Sequence, residues 1–154
     1  MPVFRSFEPI CAPETGGDAL WRLDARDLTD GYRTGMFSPL AALESCLARI
    51  GHCQPRINAF VAIDVEGARR AAEASARRWR DGAPLSPLDG VPASIKDNMH
   101  VAGFPTRWGS RATAPTPMPR DEAPVARLRA AGAVILGKTN VPEFAMRGVT
   151  DNEL

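Results

Sequence analysis

The sequence predicts an α/β fold, and the prediction depends on two strands separated by a helix. Residues 133–136 (AVIL) are apolar throughout, which is typical of a strand that a parallel sheet buries on both faces. Residues 91–96 are expected to form an earlier strand, and the helix between the two is expected to be capped by Asp121 and stopped by Gly132. A strand, a crossover helix and a second strand form a right-handed unit with parallel strands.

Two helices are predicted before this unit. Asp24 is the expected N-cap of the first helix, and Gly35 lies just past its end. Ser38 is expected to cap the second helix, Pro39 to take its first position and Gly51 to stop it. The second helix carries an apolar stripe at helical spacing, formed by Leu40, Leu43, Leu47 and Ile50.

A strand over residues 58–63 and a third helix follow. The side of this helix that is expected to face the core contains Val65, Ala68, Ala72, Ala76 and Trp79. The opposite side carries Arg69, Arg70, Glu73, Arg77 and Arg78. Glu66 precedes Arg70 by four residues, and Glu73 precedes Arg77 by the same spacing. Ion pairs on a solvated face are therefore expected there, rather than a nucleic-acid-binding surface.

Length and charge restrict the classes of function. The 154 residues suit one domain, in which residues 1–22 are interpreted as an irregular N-terminal segment and residues 23–154 as the folded part. With 19 basic and 18 acidic residues, the net charge of +1 gives no reason to expect a direct nucleic-acid partner or an anionic membrane. No apolar run approaches the roughly 20 residues of a membrane helix, and the N-terminus lacks the apolar core of a signal peptide.

The three cysteines are Cys11, Cys46 and Cys53. An odd number at these spacings does not suit a disulfide framework and fits reduced thiols, so we expect a cytoplasmic protein. The spacing of Cys46, His52 and Cys53 fits no common zinc pattern, and no metal ligand is predicted.

Residues 132–139 (GAVILGKT) match the phosphate-loop pattern letter for letter. A phosphate loop must follow a strand and lead into a helix whose N-terminus faces the phosphates. Here the four variable positions are the strand itself, and Pro142 follows shortly afterwards. Nucleotide binding is therefore not predicted, and Gly137 and Lys138 are interpreted as an ordinary turn.

Other candidate catalytic groups are few. Ser94 and Lys96 lie two residues apart on one strand and could form a dyad, although coincidence is the favoured interpretation. His52 and His100 are the only histidines, and neither has a convincing serine or cysteine partner nearby. The connection over residues 97–120 is long for a compact domain, and such loops are usually functional.

Lys96 itself has two interpretations. From spacing alone it is a strand-end lysine that reaches into solvent. Alternatively, it is a general base, because an ammonium held in an apolar cleft loses its proton more readily than a free lysine. Ligand sites in parallel sheets lie beyond the carboxyl ends of the strands, where Lys96 and the turn at residues 137–140 are expected, so position favours the second interpretation.

Several segments, taken in order, resemble the amidase signature family. They are SPLAALESCLARIGHCQPRINAFVAID (38–64), PLDGVPASIKDN (87–98), GFPTRWGS (103–110), DEAPVARLRAAGAVILGKTNVPEFAM (121–146) and TDNEL (150–154). The resemblance extends from about Leu28 to the end of the sequence, and such ordered agreement is far more specific than any single motif. It implies an α/β fold in which helices flank a mixed β-sheet.

The resemblance also implies residue roles. Lys96 takes the place of the lysine in a Ser, cis-Ser, Lys triad that hydrolyses carbon–nitrogen bonds of small-molecule amides. Phe144, Ala145 and Met146 correspond to residues that line the acyl pocket and bind substrate. No metal or organic cofactor is implied.

Both serines of that triad lie downstream of the lysine in the family, whereas this sequence ends at Leu154 and Ser110 matches neither. The resemblance therefore implies a truncated amidase domain, inactive alone, with a complementing C-terminal portion as its partner. One alternative is the amidase (A) subunit of a tRNA-dependent amidotransferase, which releases ammonia from glutamine. Another is a catalytically inactive fragment or interaction module.

Overall fold

The computed structural model describes residues 19–154 and confirms the α/β fold. The helices are α1 (Ala25–Thr34), α2 (Pro39–Ile57), α3 (Val65–Arg80) and α4 (Ala123–Ala130), and the strands are β1 (Phe60–Ile63), β2 (Pro92–Lys96) and β3 (Val134–Thr139). Single turns of 3₁₀ helix occupy Leu20–Arg22 and Glu143–Ala145. Most of the segment assigned as an irregular N-terminus, including Cys11, lies outside the described residues.

The three strands form a mixed sheet in the order β1-β3-β2. Strand β3 is central, with β2 parallel to it on one side and β1 antiparallel on the other. The parallel pairing predicted for the two strands that flank α4 is therefore confirmed. The apolar residues of β3 are buried, as expected for an interior strand, because neighbouring elements pack on both faces of the sheet.

Hydrophobic clusters cover both faces of the sheet. The first joins α2 and α3 to β3 and contains Leu43, Ala68, Ala72, Val134 and Leu136. The second joins α4 and the loop after β2 to the sheet and contains Ile95, Val101, Val125 and Ile135. Helices thus pack on the two sides of a layer whose apolar burial is the main source of its stability.

The predicted ends of α1 are confirmed. Asp24 accepts hydrogen bonds from the backbone N–H groups of Arg26 and Asp27, both at 2.9 Å. Gly35 follows the last turn with a φ of 71°, in the left-handed region that glycine adopts without a steric penalty. The Ser38 hydroxyl caps α2 through the N–H of Ala41, again as predicted.

The sequence predicted that α2 stops at Gly51, but the helix continues for six more residues to Ile57. The extra turns bury Cys53 and place Gln54 beside the start of β1. The Gln54 side chain donates to the carbonyl oxygen of Phe60 and accepts from its N–H. These tertiary contacts outweigh the weak helix propensity of one glycine, which costs about 1 kcal/mol.

Three other boundaries differ from the prediction. Strand β1 begins at Phe60, because Asn58 caps α2 in the left-handed region. Strand β3 continues to Thr139, so Gly137 and Lys138 belong to the strand and not to a turn. Helix α4 has no side-chain cap: Asp121 instead accepts from the N–H of Ala102 and pairs with Arg129.

The charged side of α3 is less solvated than predicted. Glu66 pairs with Arg69 instead of Arg70, and Arg69 also reaches Glu44 on α2 with an Nε–Oε1 distance of 2.6 Å. Arg78 extends to the buried carboxylate of Asp89. The side that sequence assigned to solvent therefore carries contacts between elements.

Glycine is required at position 137 by close approach of β1. A Cβ atom built there would meet the carbonyl oxygen of Ala62 and would lie 2.9 Å from the Cα of Ile63. We expect Gly137→Ala to separate β1 from β3 and to lower the free energy of unfolding by about 2 kcal/mol, the range of an overpacked core. Urea unfolding would measure this, with the exposed Gly148→Ala as control because that Cβ would meet nothing within 4 Å; equal stability of Gly137→Ala and the parent would contradict it.

Two further features concern the helices and cysteines. No helix within residues 19–154 is long and apolar enough to cross a membrane. Cys46 is a free, half-buried thiol, whereas Cys53 is disulfide-bonded. The expectation that all three cysteines are reduced is therefore wrong at Cys53.

Candidate active site

Lys96 is the last residue of the edge strand β2, beside Thr139 at the end of β3. Its side chain is exposed, whereas that of the preceding Ile95 is buried on the opposite face of the strand. Both strand ends lie at the carboxyl edge of the parallel pair, as predicted. The structure thus holds the backbone of Lys96 firmly and leaves its side chain accessible.

Ser94 lies on the same face as Lys96 and is also exposed. Among the hydrogen bonds of residues 19–154, none joins the two side chains. Their common orientation follows from the two-residue period of any strand. The geometry therefore favours coincidence over a serine and lysine dyad.

The loop that follows Lys96 folds back onto the end of β2. Asp97 donates its N–H to the carbonyl oxygen of Thr139 at 2.9 Å and accepts at its own carbonyl oxygen from the N–H of Trp108 at 3.1 Å. Its carboxylate oxygen Oδ2 accepts from the N–H of Arg107 at 3.2 Å. The segment from residue 97 to residue 108 is therefore attached to the strand end that carries Lys96.

Lys138 lies in β3 and is fully buried. Its ammonium nitrogen is 2.8 Å from Asp97 Oδ1 and 3.2 Å from both the carbonyl oxygen of Pro105 and the hydroxyl of Thr106. A lysine of a phosphate loop must reach a ligand beyond the loop, but this one points into the protein. The exclusion of a phosphate loop at residues 132–139 agrees with this geometry, since the variable positions form β3.

The predicted substrate-binding residues lie in and directly after a 3₁₀ turn that follows β3: Phe144 and Ala145 belong to the turn, and Met146 follows it. Phe144 and Ala145 have φ values of 50° and 58°, in the left-handed region that non-glycine residues rarely adopt. Such conformations cost about 1–3 kcal/mol each and are concentrated at functional sites. Phe144 is held there by donation of its N–H to the carbonyl oxygen of Trp108 at 2.8 Å.

A cleft of about 680 Å³ opens beside this turn. Phe144 and Met146 line it, together with Gly109, Ser110, Glu143 and Asn152. The side chains of Phe144 and Met146 are both exposed, and 82% of Met146 is accessible to solvent. Lys96 is not among the lining residues, so the cleft and the lysine are separate features of the described chain.

The other candidate catalytic residues from the sequence are Ser110, His100 and His52, and none of them has a partner among the described residues that supports catalysis. Ser110 is 2% exposed and donates its hydroxyl to Glu143 Oε1 at 2.7 Å. His100 Nδ1 lies 3.1 Å from the hydroxyl of Thr106, and His52 is exposed on α2. Within residues 19–154, no group of three or more histidine, cysteine, aspartate or glutamate side chains is arranged to hold a metal ion.

Sequence reasoning missed the contact between Asp97 and Lys138. Asp97 directly follows β2, and Lys138 lies within β3. The two strands are far apart in the sequence, since 42 residues separate Ile95 in β2 from its partner Lys138 in β3. The contact could have been predicted by extending the strand through Lys138, because Lys138 faces the loop after β2 only if it belongs to the strand. Its assignment to a turn concealed the contact.

Comparison with known proteins identifies the family to which this chain belongs. The amidase family profile matches residues 41–154. The chain belongs to the amidase family. The resemblance read from the sequence is thereby confirmed, and so is its mixed sheet flanked by helices.

Individual relatives are whole amidases or amidase subunits. The chain is 43% identical over 132 residues to the glutamyl-tRNA(Gln) amidotransferase A subunit of Salinispora arenicola, covering 86% of this chain and 27% of that protein. It is 37% identical over 135 residues to the indoleacetamide hydrolase of Bradyrhizobium diazoefficiens, covering 88% and 26%. The peptide amidase of Stenotrophomonas maltophilia is a structural neighbour at 35% identity and a TM-score of 0.74, covering 80% and 26%. The chain thus spans about a quarter of the length of the relatives it matches.

Proposed function

We propose that this chain supplies the general base of an amidase, and that Lys96 is that base. The observation that supports the proposal is the position of Lys96. In a chain of the amidase family, it is the lysine that ends β2 with an exposed side chain, on a backbone fixed by hydrogen bonds to β3 and to the following loop. A catalytic side chain on a rigid strand end keeps its geometry without a large entropic penalty during the reaction.

The reaction proposed is hydrolysis of a carbon–nitrogen bond. The neutral amine of Lys96 accepts a proton from a serine on a cis peptide bond, and that serine takes a proton from a second, nucleophilic serine. The serine oxygen attacks the amide carbonyl carbon, the carbon–nitrogen bond breaks and an amine or ammonia leaves with a proton. Water then cleaves the acyl-enzyme ester. The serines are expected in a complementing C-terminal portion.

The exposure of Lys96 in this chain is consistent with a complementing portion that covers it in the assembled enzyme. A lysine is an effective base only where water is excluded, because desolvation disfavours its charged form. Strand β2 is an edge strand, so the face of Lys96 and one row of backbone hydrogen-bonding groups are open. A downstream portion that covers both would supply the water-free environment.

We propose that Phe144, Ala145 and Met146 contact the acyl part of a small-molecule amide. The cleft beside them is lined by the exposed side chains of Phe144 and Met146 and by several charged and polar residues, among them Glu143, Arg147 and Asn152. In this proposal the two apolar side chains contact the acyl group, and the polar groups orient its amide. Neither a metal nor an organic cofactor takes part in the proposed chemistry, and a cytoplasmic location stays a prediction.

The proposal is tested by amide hydrolysis with and without a complement. The chain alone should release no ammonia or amine above background, because a base without its nucleophile has nothing to activate. Mixed with the downstream portion of the Salinispora arenicola relative, it should assemble and hydrolyse simple aliphatic and aryl amides. Turnover by the pure chain, or a stable assembly with no activity, would contradict the proposal.

A second candidate is the amidase (A) subunit of a tRNA-dependent amidotransferase. It is favoured by the relatives of that name, which reach 44% identity. In that case, the assembly should release ammonia from glutamine for a partner subunit. Glutamine turnover that exceeds turnover of neutral aliphatic amides would support this candidate over a simple amidase.

A further inference from the structure

We infer that Lys138 and Asp97 are positioning residues that fix the orientation of Lys96. The inference rests on the proposed function for its catalytic consequence, but its structural part can be measured without any activity. Neither residue belongs to the proposed triad, and Lys138 comes from the strand that was first compared with a phosphate loop. The two, with Pro105 and Thr106, are called the clasp below.

The clasp is formed by charges that are almost fully removed from water. The side chains of Lys138 and Asp97 are each 1% exposed. Nζ of Lys138 lies 2.8 Å from Oδ1 of Asp97, although the two are not aligned as a hydrogen bond, so the contact is that of an ion pair. The same nitrogen donates to Pro105 and Thr106, which lie eight and nine residues further along the loop.

Lys138 acts on Lys96 through the backbone and not by contact. Lys138 is opposite Ile95 in the register, and Ile95 is buried on the face away from the Lys96 side chain. Asp97, however, directly follows Lys96 and is held at its N–H, its carbonyl oxygen and both carboxylate oxygens. Fixing Asp97 at four atoms restricts the φ and ψ angles that aim the Lys96 side chain.

Stability alone does not explain the clasp. Replacing a buried ion pair by neutral groups of similar volume is often neutral or stabilising, because desolvation of the two charges offsets their attraction. Removing only one partner is costly, since the other charge stays buried and unpaired. A neutral double variant therefore separates positioning from stability.

The structural test uses amide hydrogen exchange of this chain. Asp97→Asn/Lys138→Met removes both charges at nearly constant volume, and Lys138→Met alone leaves Asp97 unpaired. We expect the single variant to unfold at lower urea concentration and the double variant to recover the parent's midpoint. Amide exchange over residues 97–108 should nevertheless be at least about tenfold faster in the double variant than in the parent, while amide exchange of α2 should be the same in both.

The kinetic test uses the chain assembled with its complement. In the double variant, kcat should fall about 100-fold with KM nearly unchanged, as expected when a catalytic group is misplaced by about 1 Å. Arg33→Met is the control, since it breaks an exposed ion pair with Asp30 on α1 and should change neither kcat nor exchange over residues 97–108.

The outcomes are distinguishable. Parental exchange in the double variant would overturn the inference, as would rapid exchange of residues 97–108 in the parent itself. An active parental assembly whose double variant keeps full kcat would also overturn it. An inactive parental assembly would instead contradict the proposed function, and the exchange result would still decide whether the clasp fixes the strand end.

Discussion

Replacing Lys96 with alanine is expected to abolish amide hydrolysis by the assembled protein. Removing a general base typically lowers the rate by 10²–10⁴-fold, and here the base is also the last acceptor of the proton relay, so a loss of about 10⁴-fold is expected. Lys96→Arg should be equally inactive, because a guanidinium stays protonated and cannot accept a proton. Ammonia or amine release from the mixed portions would measure both.

Ser94→Ala is the matched control for Lys96. It changes an exposed side chain on the same face of the same strand, two residues away. We expect full activity, since no hydrogen bond among the described residues joins Ser94 to Lys96. A soluble assembly in which Lys96→Ala keeps full activity would show that Lys96 is a strand-end residue without a catalytic role. Loss of activity in Ser94→Ala alone would assign the role to the serine.

A large loss of stability is expected for Asp89→Asn. The buried Asp89 carboxylate accepts from both Nε and Nη2 of Arg78, at 2.7 and 2.6 Å, and from the N–H of Leu85 at 2.9 Å. Removing one partner of a buried ion pair costs about 3–5 kcal/mol. Because the Arg78 side chain is 28% exposed, we expect the lower end of that range, about 3 kcal/mol. Urea unfolding at pH 7 measures it.

The same substitution predicts a pH dependence. Burial raises the pKa of Asp89, but hydrogen bonds from Arg78 and from the N–H of Leu85 more than offset this, so the pKa lies below its usual value. The unfolded carboxyl therefore takes up a proton at higher pH than the folded one, and the stabilisation is lost as the pH falls below about 4. The difference in stability between the parent and Asp89→Asn should shrink over that range.

The control for both measurements is Asp30→Asn. Asp30 pairs with Arg33 on the surface of α1, where both side chains are more than half exposed. Exposed pairs contribute about 0–1 kcal/mol, so this variant should match the parent closely. Stability of Asp89→Asn within that same margin at pH 7 would contradict the prediction.

Local signals in the sequence predicted the elements well where they alone decide the structure. The side chains of Asp24 and Ser38 cap nearby backbone N–H groups, and Gly35 ends α1 with a left-handed backbone conformation, so these helix ends were predicted correctly. The apolar run at residues 133–136 correctly predicted a buried strand parallel to β2. The family resemblance added the mixed sheet, in which β1 is antiparallel, a feature that no residue pattern here encodes.

Predictions failed where distant contacts override local preference. Gly51 does not end α2, because Gln54 is held by β1. Lys138 continues β3, because Ala62 and Ile95 pair with it from the two neighbouring strands. Arg78 leaves the solvated side of α3 for Asp89. The position of Lys96 was predictable from the strand pattern, whereas the clasp that fixes it was not, since it depends on three segments meeting.

The strand order also has a consequence for the timing of synthesis. Within residues 19–154, β1 and β2 are each paired with β3 and not with one another, and β3 is the last of the three strands to be synthesised, so this sheet is complete only after residue 139 has left the ribosome. From residue 63, the end of β1, this is a further 76 residues, or about 4–15 s at 5–20 residues per second. Over that interval the apolar side of the nascent α2–β1–α3 segment lacks its covering strand. Binding by a holdase chaperone would protect it from aggregation.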